Sequence, residues 1–264
     1  MSSFPMLAQG RSLNQEELAS WKISTPPTHF PENQVEKSPT LHAQSIRFPI
    51  TGRPRRDTIS GGVRGSTAKA IVPNSCGNST DEKMVALLPP TEPVRTVAGH
   101  PTILLSLPEN TAQQAMFYLK EAGKDDVMYE TTVTLPDHSG IVSVPLPDDG
   151  TLPALEEGKK YHWYFFMICN EQDMANEPHV EGQIERVKPS PNLVAKLRNA
   201  SLRDRAAIYA EAGIWYDCLN SLAQLYRSAP NDSAIASDWA ELLESVELDT
   251  ISQKPLISAI TPVQ

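Results

Sequence analysis

Leu155-Glu156-Glu157-Gly158-Lys159-Lys160-Tyr161-His162-Trp163, running on into Tyr164-Phe165-Phe166-Met167-Ile168-Cys169, carries the clearest strand pattern in the chain. Successive side chains of a strand point to opposite faces. Tyr161, Trp163 and Phe165 therefore share one face, and His162, Tyr164 and Phe166 share the other. Gly158 supplies a sharp bend before the strand, and Leu155 is placed to plug the end of a core. The first face is expected to be the core. The second is more apolar than a solvated face requires, and the C-terminal helices are the expected cover.

Six further runs are short, apolar or alternating, and bounded by Pro, Gly, Asp or Asn. They are Val85–Leu88, Thr102–Leu107, Ala115–Lys120, Met128–Leu135, Ile141–Leu146 and Val180–Val187. Seven such runs with turn residues between them predict an antiparallel β-sandwich over residues 84–189. Ser190 onward changes period. Pro191 suits a first helical turn, Leu193 and Leu197 recur at i, i+4, and helices are expected over Leu202–Trp215, Tyr216–Ser228 and Ser233–Val246. Asp232 or Ser233 is the expected N-cap. Residues 251–264 read as a loose tail. Residues 1–58, rich in Pro, Ser, Thr, Gln and Asn, read as a disordered N-terminal tail, and 59–83 as an Arg/Gly-rich leading loop.

Composition narrows the function classes. The chain has 264 residues, a net charge of −9, 40% apolar residues and 23 prolines. The acidic balance argues against nucleic acid as a partner, which needs a basic face. No apolar run approaches the ~18 residues of a membrane-spanning helix. Met1-Ser2-Ser3-Phe4-Pro5 has neither the basic start nor the apolar core of a signal peptide. As written the chain is expected in the cytoplasm; an upstream signal would make it periplasmic or envelope-associated.

Few residues invite chemistry. The three cysteines, Cys76, Cys169 and Cys218, form no C-x-x-C pair, so no metal site is expected. Cys218 reads as a small buried hydrophobe. Cys76 and Cys169 are the candidate disulfide in an oxidising compartment and thiols in a reducing one. The six histidines are scattered without a metalloprotease spacing, and no G-x-S-x-G elbow is present. Glu181 and Glu185 point the same way on a strand and read as solvated. Arg53, Arg55, Arg56 and Arg64, near flexible glycines, could grip an anion, although an exposed loop is the simpler reading. No catalytic residue and no cofactor are expected.

Two resemblances add to this. Leu155–Trp163 resembles the tyrosine corner of immunoglobulin-like and fibronectin type III domains, in which a tyrosine hydroxyl bonds back to the backbone just before its strand. Ala206, Tyr209, Gly213, Trp215, Cys218, Leu222 and Pro230 fall at the spacings of a tetratricopeptide repeat, and Trp239, Ala240 and Leu243 resemble the start of a second. One and a half repeats cannot stand free, since about three are needed, so these helices need the sandwich as a surface. Tyr209, Trp215, Tyr216 and Trp239 are the candidate interaction surface, with burial of Tyr209 and Trp215 against the sandwich as the competing expectation. Finally, GRPRRDTISGGVRGS, Cys76, VALLPP, GHPTILLSLP, WYFFMICN, IERV and AIYAEAGIWYDCLNSLAQLYRSAPND, in that order, resemble the cyanobacterial domain-of-unknown-function 928 family over roughly residues 52–250. That resemblance implies export and carries over no catalytic residue. The leading expectation is a non-enzymatic protein-interaction or envelope-associated protein with an unidentified protein partner. The alternatives are a structural spacer whose helices only cap the sandwich, and an enzyme with an unrecognised site.

Overall fold

The computed structural model describes residues 45–54, 69–72, 76, 82–170, 177–260 and 262. Every run read as a strand overlaps one. In chain order the strands are β1 (Arg53–Pro54), β2 (Lys69–Ile71), β3 (Lys83–Ala86), β4 (Thr91–Glu92), β5 (Arg95–Thr96), β6 (Thr102–Leu107), β7 (Gln114–Glu121), β8 (Val127–Thr134), β9 (Gly140–Pro145), β10 (Lys160–Ile168) and β11 (His179–Arg186). Helices α1 (Pro191–Leu197), α2 (Leu202–Glu211), α3 (Trp215–Ser228) and α4 (Ser233–Glu244) follow, and β12 (Leu256–Ala259) closes the chain.

The strands form two five-stranded sheets, ordered β5-β11-β10-β7-β8 and β12-β9-β6-β3-β2, and a small β1-β4 pair. The two large sheets and the helices bury side chains in one continuous core, a sandwich-like arrangement with helical cover. Pairing is antiparallel except where β5 joins β11 and β12 joins β9. The opening stretch behaves as its alternation requires: Tyr161, Trp163, Phe165 and Met167 are buried, and the residues between them are not. Gly158 takes φ +82°, which a residue with a Cβ rarely adopts. That bend lets the Tyr161 hydroxyl accept a hydrogen bond from the Glu156 amide at 2.8 Å, above the buried Leu155.

Strands β6 and β9 do not alternate. Ile103 to Leu107 and Gly140 to Val144 are buried throughout. A strand enclosed on both faces carries a near-continuous apolar run, and Thr-Ile-Leu-Leu-Ser-Leu is such a run. The second layer over this sheet is helical. Helix α3 approaches β5 and β6, and Arg227 at its end donates to the Ser143 hydroxyl of β9. The helices therefore cover the β6/β9 sheet and leave the His162/Tyr164/Phe166 face of β10, contrary to expectation. The reason is apolar area: β6 and β9 present a second apolar face, whereas β7, β10 and β11 alternate.

Two boundaries also shift. Residues 45–54 were expected within the N-terminal tail, yet Ile46 and Phe48 are buried, and Phe48 meets Trp215 edge to face at 4.9 Å. The rest of that tail, residues 1–44 and 55–58, lies outside the described residues. The C-terminal segment was expected to be loose. Instead Leu256–Ala259 pairs with β9, held by the Ile141 amide on Pro255 O and the Ile260 amide on Ser143 O at 2.8 and 2.9 Å. An open edge of β9 would leave backbone groups unpaired, and the apolar Leu256, Ile257 and Ile260 make the tail fit it. Of the leading loop, Lys69–Ile71 forms β2 against β3.

Candidate functional site

Strand register assembles the face of β10 that the helices leave. Tyr164 of β10 pairs with Tyr118 of β7 and Glu181 of β11, and Tyr118 pairs with Glu130 of β8. One rung therefore reads Glu130, Tyr118, Tyr164, Glu181 across four strands. The next reads Thr132, Met116, Phe166, His179. The rings contact one another: Phe166 stacks on His179 at 4.6 Å, Tyr118 meets Phe166 edge-on at 5.7 Å, and Tyr164 lies 6.4 Å from Phe166. His179 and Glu130 are exposed, and Tyr118, Tyr164 and Phe166 are half-buried. On the opposite flank lie Lys120, His162 and Gln183.

The carboxylates act on the tyrosines. Burial raises both phenols above their ordinary value, and the nearby charge adds to it, Glu130 for Tyr118 and Glu181 for Tyr164. At neutral pH the rung is thus two neutral phenols between two glutamates. Aromatic rings with a polar rim on an open sheet are the composition of a docking surface. His162, Tyr164 and Phe166 were legible as an over-apolar face. Tyr118, Glu130 and His179 were not, because only register brings them there.

A second feature lies at the end of β10. Cys76 and Cys169 form a disulfide with Cα atoms 5.1 Å apart, as the pairing expected. The buried Glu177 carboxylate accepts from the Cys169 amide at 3.0 Å and from the Asn170 amide. Cys76, Cys169 and Glu177 place three donor atoms within 4.8 Å of one another. In the disulfide both sulfurs are bonded to each other, so neither is a thiolate ligand. A cavity of about 260 Å³ beside the bridge is lined by Thr111, Ala112, Gln113, Gln114 and Ile168 with the two cysteines. Those lining groups include no general acid or base.

The candidate interaction surface on the helices is corrected. Trp215, Tyr216 and Trp239 are 0%, 2% and 1% exposed, and Tyr209 is half-buried against the core. Trp215 donates its indole N–H to Leu87 O at 2.8 Å. The Tyr216 hydroxyl accepts from the Trp163 indole at 3.0 Å and donates to Gln183 O at 2.8 Å. Trp239 stacks on Tyr226 at 5.8 Å. Trp215 and Tyr216 fasten α3 to the body, and Trp239 packs α4 on α3. Beside them Asp217 accepts from the Thr96 hydroxyl at 2.7 Å and the Val97 amide at 3.1 Å, tying α3 to the edge strand β5. Burial pushes its carboxyl up, and these two bonds oppose the shift. Cys218 is buried, and its thiol is pushed up by that burial. Of the candidate anion contacts, Arg53 is exposed on β1, while Arg55, Arg56 and Arg64 lie outside the described residues.

Among the described residues no helix is long and apolar enough to cross a membrane. The family described as Domain of Unknown Function (DUF928) matches residues 59–256. No curated protein matches the chain. The solved structure of Astrotactin-2, described as a conserved vertebrate-specific and perforin-like membrane protein involved in neuronal development, aligns with 60% of this chain and 38% of that one at 11% identity. Its TM-score of 0.23 is too low to support an argument.

Proposed function

The chain belongs to the DUF928 family, and from that premise we propose that it is a non-enzymatic protein-interaction domain whose docking surface is the aromatic face of β7, β10 and β11. One observation carries this reading: the helices that could have covered Tyr118, Tyr164, Phe166 and His179 are spent on the β6/β9 sheet. The Tyr161–Glu156 hydrogen bond supports an immunoglobulin-like character for the sandwich. The α2–α3 hairpin, turning at Gly213 with φ +70°, reads as a tetratricopeptide-like pair used as a cap. The Cys76–Cys169 bond favours an oxidising, envelope-side setting for that interaction.

The test is retention of partners from native extract by the full chain and by a Tyr164→Ala/Phe166→Ala variant. Both side chains lie on the outer face, so the fold is expected to persist, checked by an unchanged near-UV spectrum. Loss of the retained proteins is expected. The same proteins retained by a folded variant would sink the assignment of this face. The spacer reading is favoured by one observation, the burial of the helical aromatics; it predicts no retained partner with either protein.

A further inference from the structure

We propose that the Cys76–Cys169 pair, once reduced, joins Glu177 in a binding site for a zinc-class divalent ion, so that the disulfide and the metal are alternative states of one site. This goes beyond the docking reading and does not depend on the aromatic face.

Three donors converge at the end of β10 from separate segments, which is why no ligand spacing is visible along the chain. The Cys76 and Cys169 sulfurs and a Glu177 carboxylate oxygen lie within 4.8 Å of one another. Each residue is also held by backbone bonds that do not involve the disulfide. The Cys76 carbonyl accepts from the Thr111 amide at 2.6 Å. Cys169 directly follows β10 and Glu177 lies just before β11, two strands that pair with each other, and the Met167 amide donates to Pro178 O at 3.0 Å between them. Glu177 is 6% exposed, and its two oxygens each accept one amide, from Cys169 and from Asn170. A carboxylate oxygen has a second lone pair. The amides therefore orient the carboxylate and leave each oxygen able to bind a cation.

The chemistry of the donors selects the ion. Two thiolates and one carboxylate suit zinc, whereas magnesium and calcium take oxygen ligands alone. Thiolates at the usual zinc–sulfur distance and tetrahedral angle stand about 3.8 Å apart. Two unbonded sulfurs keep much the same separation, so reduction itself opens the pair toward that spacing. The cavity of about 260 Å³ beside the bridge gives the sulfurs room to part and leaves a fourth position for water, near Thr111, Gln113 and Gln114. A dithiol reductant opens the site by thiol–disulfide exchange: two electrons and two protons pass to the two sulfurs, and the reductant leaves as its own disulfide. Zinc then displaces the two thiol protons to water and bonds the thiolates. An oxidised dithiol reverses this, taking two electrons from the thiolates and two protons from water, re-forming the Cys76–Cys169 bond and releasing the ion.

In the experiment the untagged full chain is reduced with a phosphine, desalted without oxygen, and titrated with zinc chloride by calorimetry beside the oxidised chain. The reduced chain is expected to bind one zinc and the oxidised chain none at that affinity, and magnesium is expected to bind neither. Cobalt in place of zinc is expected to give the near-ultraviolet band of thiolate-to-metal charge transfer. Cys76→Ser/Cys169→Ser, which keeps the buried Cys218, is expected to lose both the binding and the band. Glu177→Gln still accepts a backbone amide; it is expected to lose about ten- to a hundredfold in affinity and to keep the band. Zinc is also expected to raise the urea midpoint of the reduced chain and not that of the double variant. Equal zinc uptake by the oxidised chain or by the double variant, or full affinity in Glu177→Gln, would overturn the proposal. So would a reduced chain that loses its near-UV spectrum and does not regain it with zinc.

Discussion

Tyr216 shows how much one side chain can hold. Its hydroxyl accepts from Trp163 on β10 and donates to the β11 carbonyl of Gln183, so one group joins α3 to two neighbouring strands. Tyr216→Phe leaves the buried Trp163 indole N–H without its partner. A cost of about 1–3 kcal/mol is expected, read as a lower midpoint in urea with unchanged slope. Asp217 provides a pH signature. Its folded pKa is raised above the unfolded value, so the folded state binds the proton more tightly. Its contribution to stability is therefore largest at low pH and declines as pH rises from the unfolded value through the raised folded one. Asp217→Asn keeps an acceptor for Thr96 and Val97 and is expected to flatten that decline in a series of urea midpoints. Asp217→Ala removes the acceptor and is expected to lose about 1–3 kcal/mol at every pH. At this scale the sequence was partly legible. Tyr161 and Gly158 announced their bend because that geometry is local. Tyr216 did not announce Trp163, because 53 residues separate them.

Elements show which segments depend on others. The Cys76–Cys169 bridge spans a sequence separation of 93 residues and fastens the segment before β3 to the end of β10. Closing a loop of that length in the unfolded chain is expected to contribute about 3–5 kcal/mol. A dithiol reductant, or Cys76→Ser with Cys169→Ser, is expected to lower the urea midpoint accordingly, and an unchanged midpoint would show the bridge to be dispensable. Alternation made β7, β10 and β11 readable from sequence, and their bounds move by only a residue or so. Strand β12 was missed because Leu-Ile-Ser-Ala is too short to announce a strand and pairs with residues more than a hundred positions away. Helix N-caps were readable: Asp232 caps α4 through its carboxylate on the Ala234 and Ile235 amides.

The whole molecule joins what the sequence divided at Ser190. The described residues from Ser45 onward form one compact unit, with sheets and helices in a common core. A fragment ending at residue 189 would uncover one face of β6 and β9 and remove the partners of Trp163 and Leu87. It is expected to aggregate or to lack cooperative unfolding by circular dichroism, whereas a fragment that stays folded would show the helices to be separable from the sandwich core. Local matters were legible in the residues themselves: where most strands and helices run, which side of β10 is core, and where Gly158 bends the chain. Periodicity and turn chemistry act over a few residues and are written in them. Which sheet the helices cover was settled by packing between distant segments. That choice turns on comparing apolar area on two faces far apart in the chain, and the doubly apolar β6/β9 sheet wins. The same decision buried Trp215, Tyr216 and Trp239, and it left Glu130, Tyr118, Tyr164 and Glu181 aligned on the face the helices do not use.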